Sequence, residues 1–236
     1  MNDLRVWKAI CEVRYPPAAS LFDNRGKIAS KWQGMYDLTE WRIARNNVIV
    51  HNRSETVLFQ AGFKNVVFVM ELPSRYKDFS EQAINLLSGT LEILEISKLE
   101  RIGLRIIQLA ERKSFKVLMT DMTKKLYRLS DDDWAPFEGP PIDVGMPLTF
   151  SLGENRVNFM IGPMHKEQLD GYFTSAETKG QTPSTVLFVD FDLYRKDPKL
   201  RKKDFKKSLT EFLKLGESEI LPRSTAFVEQ FGGFKR

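Results

Sequence analysis

Asp190 and Asp192, in the stretch Leu187-Phe188-Val189-Asp190-Phe191-Asp192, are spaced for joint chemistry. On a strand alternate residues share a face, so the two carboxylates would stand about 7 Å apart along the chain. They could contribute to a Mg²⁺ or Ca²⁺ site and so to a metal-dependent hydrolase, but such ions need further oxygens that the spacing does not supply. The competing role is a charge ladder on a sheet. Glu12 and Arg14 fall on the polar side of one alternating segment, and Arg101 and Arg105 on that of another. Cross-strand pairing with Asp190 and Asp192 would satisfy all of them. If the ladder lined a cleft, it would also be the best place for a polar ligand.

The second chemical feature is a concentration of positive charge. The 236 residues carry 36 Lys and Arg against 31 Asp and Glu, a formal +5. Between Arg195 and Lys207 there are eight bases and two acids, so this segment exceeds the charge of the whole chain and the remainder is slightly negative. Arg195, Lys199, Arg201, Lys202, Lys203, Lys206 and Lys207 are the candidates for anion binding. The spacing puts most of them at the start of a helix, where the macrodipole disfavours cations by a few tenths of a kcal/mol each. A nucleic-acid phosphate backbone would offset that cost and would bind with steep salt dependence. A solvated helix face is the alternative, and only Tyr194 and Phe205 are at hand for base stacking.

Other chemistries lack their usual devices. There is no G-x-x-x-x-G-K-[ST], G-x-G-x-x-G or G-x-S-x-G pattern, so neither a phosphate cradle nor a nucleophile elbow is expected. Cys11, the single cysteine, sits with Val13 on an apolar face and reads as a small buried hydrophobe. One cysteine with His51 and His165 is too few ligands for a structural zinc site and allows no internal disulfide. Both histidines read as surface residues, and Asp131-Asp132-Asp133 as a solvated turn. No catalytic residue, metal or cofactor is implied. The N-terminus shows no signal peptide and no window has the roughly 20 apolar residues of a membrane helix, so a cytoplasmic protein is expected.

The elements that must position these residues follow from periodicity. Period-2 alternation predicts strands over 6–15, 38–44, 48–51, 56–63, 66–72, 101–109, 146–152, 156–162 and 185–194. Helical spacing predicts helices over 20–32, 75–97, 114–126, 201–215 and 223–231. Asn46-Asn47 and Gly62-Phe63-Lys64-Asn65 are tight-turn signals. Ser74 is the expected N-cap of the long helix, Gly216 the expected terminator of the 201–215 helix, and residues 166–183 an expected polar loop.

Val66-Val67-Phe68-Val69, followed by a helix containing Lys77-Asp78-Phe79, resembles Val186-Leu187-Phe188-Val189, followed by a helix containing Lys203-Asp204-Phe205. The expected fold class is therefore α+β, as two pseudo-repeats of β-α-β(3–4)-α order, residues 1–97 and 98–236, forming two domains or one continuous one. Antiparallel sheets each covered on one face by a long helix are expected. This order is similar to TATA-binding-protein-like and helix-grip folds, a topological likeness that carries no function. At residue level, Ile10-Cys11-Glu12-Val13-Arg14-Tyr15-Pro16, the Arg101-Ile102-Gly103-Leu104-Arg105 strand, the Asp190-Phe191-Asp192 strand and the closing Thr225-Ala226-Phe227 resemble a sporadically distributed family of uncharacterised bacterial proteins of about this length. That family supplies no catalytic residues. The expected function is a binding or interaction protein rather than an enzyme, with a small ligand, a protein partner or a second copy as occupant, and nucleic acid as the alternative partner.

Overall fold

Alternation in the first strand defines the two faces on which everything else is arranged. The computed structural model describes residues 4–137, 141–196, 198 and 204–230. β1 (Arg5–Arg14) turns Ala9, Cys11 and Val13 into the core and Ile10, Glu12 and Arg14 to the opposite side. α1 (Ser20–Trp32) follows despite Gly26, which lies on its exposed side, and buries Leu21, Ile28, Ala29 and Trp32. Four strands come next: β2 (Glu40–Ile43), β3 (Asn47–His51), β4 (Val57–Gly62) and β5 (Asn65–Glu71). The two-residue connection Phe63-Lys64 lies between β4 and β5.

α2 (Tyr76–Ile93) buries Phe79, Ala83, Leu86, Leu87 and Leu91 in the stripe its spacing demands. Its N-cap is Arg75 rather than Ser74 and makes no side-chain cap bond; instead the Arg75 guanidinium grips Asp78 at 2.6 Å. The order then restarts with β6 (Arg101–Glu111), α3 (Phe115–Met122), β7 (Met146–Leu152), β8 (Asn155–His165), two short helices α4 (Lys166–Leu169) and α5 (Ala176–Gln181), β9 (Thr185–Lys196), α6 (Phe205–Leu215) and α7 (Leu221–Gln230).

All nine strands join one antiparallel sheet in the order β2-β3-β4-β5-β1-β6-β9-β8-β7. This differs from the expectation of two sheets. β1 and β6 pair with each other from Arg5↔Leu109 to Arg14↔Arg101, and with β5 and β9 on their other sides neither has an open edge. The protein is thus α+β around one continuous nine-stranded sheet.

On one face, the apolar stripes of α1, α2 and α6 meet inward residues of every central strand in a single core that includes Phe59, Phe68, Phe79, Leu104, Leu193 and Phe212. The opposite face is divided. At one end a small second core gathers Ile107, Leu109, Val186 and Phe188 beneath Leu169 and Phe173. Residues 166–183, expected to be a polar loop, therefore cover apolar sheet surface, because Leu169 and Phe173 have an exposed patch to bury. A bulge in β1 between Val6 and Lys8 serves this arrangement. It lets Trp7 reach the second core while Lys8 stays on the same face. At the other end that face is open and polar. No helix among the described residues is long and apolar enough to cross a membrane.

Candidate ligand-binding trough

The open end of the second face is a trough of about 630 Å³ that extends from Val67 on β5 to Thr149 on β7. Its floor holds Glu12 and Arg14 from β1, Arg101 and Arg105 from β6, and Asp190 and Asp192 from β9. The strand pairing accounts for their meeting: β1 and β6, and β6 and β9, are neighbours, and all six residues fall on the outward parity.

The ion pairs run diagonally. Arg105 stands directly opposite Asp192 but bonds to Asp190, with Nε at 3.0 Å from Oδ1 and an Nη nitrogen at 2.7 Å from Oδ2. That bidentate bond raises the Arg105 proton affinity against the opposing effect of burial. The opposite flank of Arg105 lies over the Tyr172 ring, 5.7 Å from its centroid, at the boundary with the small core. Arg101 bonds both oxygens of Asp192 at 3.1 and 3.2 Å and approaches Glu12 at 3.4 Å. Glu12 also accepts from Arg14 at 2.8 Å and from Asn65 at 2.9 Å, and Asn158 reaches Asp192 at 3.4 Å. Partly solvated pairs like these contribute on the order of 0.2–1 kcal/mol each. They hold the side chains in place more than they hold the fold together.

Arg101 passes over Gly103 to reach its carboxylate. Arg101 stands opposite Lys196, and Asp192 lies two rows away, across the row of Gly103 and Tyr194. With no side chain at 103, the guanidinium lies over the glycine: a Cβ there would already be 3.5 Å from its Cζ. Arg101 then stacks on Tyr194 at 4.9 Å from the ring centroid. Gly103→Val is expected to push Arg101 off both Tyr194 and Asp192 while changing stability by roughly 1 kcal/mol or less. Loss of the ring-current shift on the Arg101 side-chain protons, followed by NMR, is the measurement; an unchanged shift would mean that the glycine plays no such part.

The carboxylates are committed to guanidinium groups, each through both oxygens, so the geometry gives the metal-dependent hydrolase no support. Among the described residues no group of three or more His, Cys, Asp or Glu could hold a metal ion. Cys11 is fully buried beneath the other face, and burial, with the charge of Glu12 adding to it, pushes its thiol far above the ordinary range. His51 is half-buried with Nδ1 2.9 Å from the Asn52 carbonyl, and exposed His165 stacks on Phe115 with centroids 3.9 Å apart. Asp133 accepts from the Ser130 N–H and hydroxyl at 2.6 and 2.7 Å, the chemistry of a turn.

Of the candidates in the basic segment, Lys199, Arg201, Lys202 and Lys203 lie outside the described residues. Among the described residues, α6 begins at Phe205 behind Asp204, Lys206 and Lys207 fall in its first turn, and Lys207 faces Glu211 at 3.9 Å. Arg195 turns to the helix-covered side and bonds Asn155 at 3.0 Å, whereas Lys196 lies on the trough side, over Tyr194 at 5.9 Å.

A buried pair that the spacing does not reveal closes the far end of this face. Lys8 Nζ donates to Glu71 Oε1 at 2.9 Å and to the Tyr172 carbonyl at 2.7 Å. Glu71 in turn accepts the backbone N–H of Thr174 at 2.8 Å and of Ser175 at 3.2 Å. Both ions are shielded, with side chains 8% and 0% exposed. The available sequence signal was Lys8 on the alternating strand; its partner depends on the β1–β5 register, Lys8↔Glu71.

No family model matches this chain, and no curated protein does.

Proposed function

We propose that this chain is a small-ligand-binding protein whose site is the trough on the open sheet face. The single observation that carries the proposal is a cavity of about 630 Å³ floored by polar side chains that are held in fixed geometry by one another. That volume lies within the range of small-molecule sites, about 300–1,000 Å³. The lining also mixes apolar and polar groups, Ile10, Val67 and Met160 beside Asn158 and Thr149, which suits orientation as well as burial of a ligand. Among the described residues no nucleophile and base pair is assembled there, which favours binding over catalysis as the reading. In the same proposal the two halves are pseudo-repeats, β-α-β(4)-α and β-α-β(3)-α, meeting at β1 and β6; the symmetric strand order about that pair supports it. Membership of the bacterial family noted above and a cytoplasmic location belong to the proposal too, the latter supported by a lone, buried cysteine.

The test is an amide-resolved NMR titration of the full chain with a library of polar fragments, neutral, anionic and cationic. Binders are expected to shift the Gly103, Asn158 and Tyr194 amides together, and Arg105→Leu to abolish those shifts. If no fragment perturbs these amides saturably, the trough is not a ligand site.

A further inference from the structure

One row of the sheet carries a charge arrangement that the ion-pair ladder does not use up. Arg14, Arg101 and Lys196 stand directly opposite one another on three adjacent strands, in the register Arg14↔Arg101↔Lys196. Neighbouring strands are about 4.8 Å apart, so three long cationic side chains rise within reach of a single small anion. Like charges placed opposite one another destabilise a sheet, so local stability does not favour the row. Arg156 follows in the adjacent row, opposite Tyr194.

The neutralising groups are few. Glu12 bonds Arg14 and Arg101, and Asp192 takes Arg101. Lys196 is paired with no carboxylate among the described residues and rests against the Tyr194 ring. The Arg14 side chain is 51% exposed, with only its Nε engaged. Among the described residues, five cations, Arg14, Arg101, Arg105, Arg156 and Lys196, thus share this part of the sheet face with three carboxylates, Glu12, Asp190 and Asp192. Two positive charges are left over, and both the trough and the Tyr194 ring adjoin them.

We infer that the trough takes a small molecule bearing a phosphate group, with the dianion seated at the rim among Arg14, Arg101 and Lys196 and the rest of the molecule lying along the trough towards Asn158. The excess of two positive charges matches a phosphate dianion, and guanidinium groups already positioned by carboxylates lose little freedom on binding it. The inference rests on the trough being a ligand site, and it adds the ligand's chemistry and orientation.

The experiment titrates the full chain with inorganic phosphate and with pyrophosphate, by calorimetry and by amide shifts at Gly103 and Tyr194, at low and at elevated sodium chloride. Saturable binding that weakens with salt is expected, with shifts confined to the trough. Lys196→Ala and Arg14→Ala should each weaken pyrophosphate binding about tenfold or more, as loss of a charge-assisted contact would. Lys27→Ala, on exposed helix surface, should leave it unchanged, and far-UV circular dichroism should show all three variants folded. Equal affinity in Lys27→Ala and Lys196→Ala overturns the inference, as does a phosphate response centred on Lys206 and Lys207. If neutral or cationic fragments bind the trough while neither phosphate does, this inference fails and the ligand-site proposal stands; if nothing binds there, both fail.

Discussion

Lys8→Met is expected to lower the free energy of unfolding by about 3–5 kcal/mol, the usual cost of leaving one partner of a buried ion pair alone. Glu71 would remain fully buried, with two backbone N–H donors and no counter-charge. The Tyr172 carbonyl would lose its donor as well. Methionine keeps most of the lysine's length and apolar stem, so packing beside Phe173 should be little changed. The loss should therefore be electrostatic, and the double variant Lys8→Met/Glu71→Gln should recover much of it. A glutamine can still accept the Thr174 N–H while carrying no charge. Urea denaturation measures both variants. A single-variant cost below about 1 kcal/mol would show that the pair does not hold residues 172–175 against the sheet. Hydrogen exchange adds a local readout, since the Thr174 and Ser175 amides should lose protection in Lys8→Met before the central strands do.

The second large effect is expected at Gly216. A Cβ there would overlap the Tyr76 hydroxyl and lie 2.7 Å from Leu104 Cδ2. Tyr76 is buried and donates to the Leu213 carbonyl at 2.8 Å, and burial holds its phenol well above the ordinary range. Gly216→Ala must therefore move α6 away from α2 or expel the tyrosine ring. Overpacking of this kind costs about 1–3 kcal/mol, and losing the buried hydrogen bond adds an amount on the order of 1 kcal/mol. Adding Tyr76→Phe removes the oxygen in the way, so the double variant should be more stable than the two single losses summed. Strict additivity in that cycle, or a cost below about 0.5 kcal/mol for Gly216→Ala alone, would contradict the account.

Gly216 also shows where local signals mislead. A glycine after a helical stripe suggests a stop, yet here φ is −57° and the chain continues through a wide turn, Gly216–Ile220, into α7. The glycine is required by close packing against Tyr76, and nothing near residue 216 in the chain announces that contact. Residues 166–183 mislead in the opposite sense. Their polar composition suggests a loop, but Leu169 and Phe173 are enough to anchor them over Ile107 and Phe188.

The elements themselves were legible, because strand and helix periods are local properties. The alternation of Glu12 with Cys11, of Arg105 with Leu104 and of Asp190 with Val189 determines which side chains share a face wherever the strands end up. The sequence alone therefore determined an α+β chain of strands and amphipathic helices and the parity of the six charged residues. Only the tertiary structure decided that β1 and β6 fuse the strands into one sheet, that Arg105 meets Asp190 rather than the Asp192 opposite it, and that Lys8 finds Glu71. Strand order and register depend on contacts between distant segments. A period of two residues states which face a side chain occupies and is silent about its neighbour across the gap.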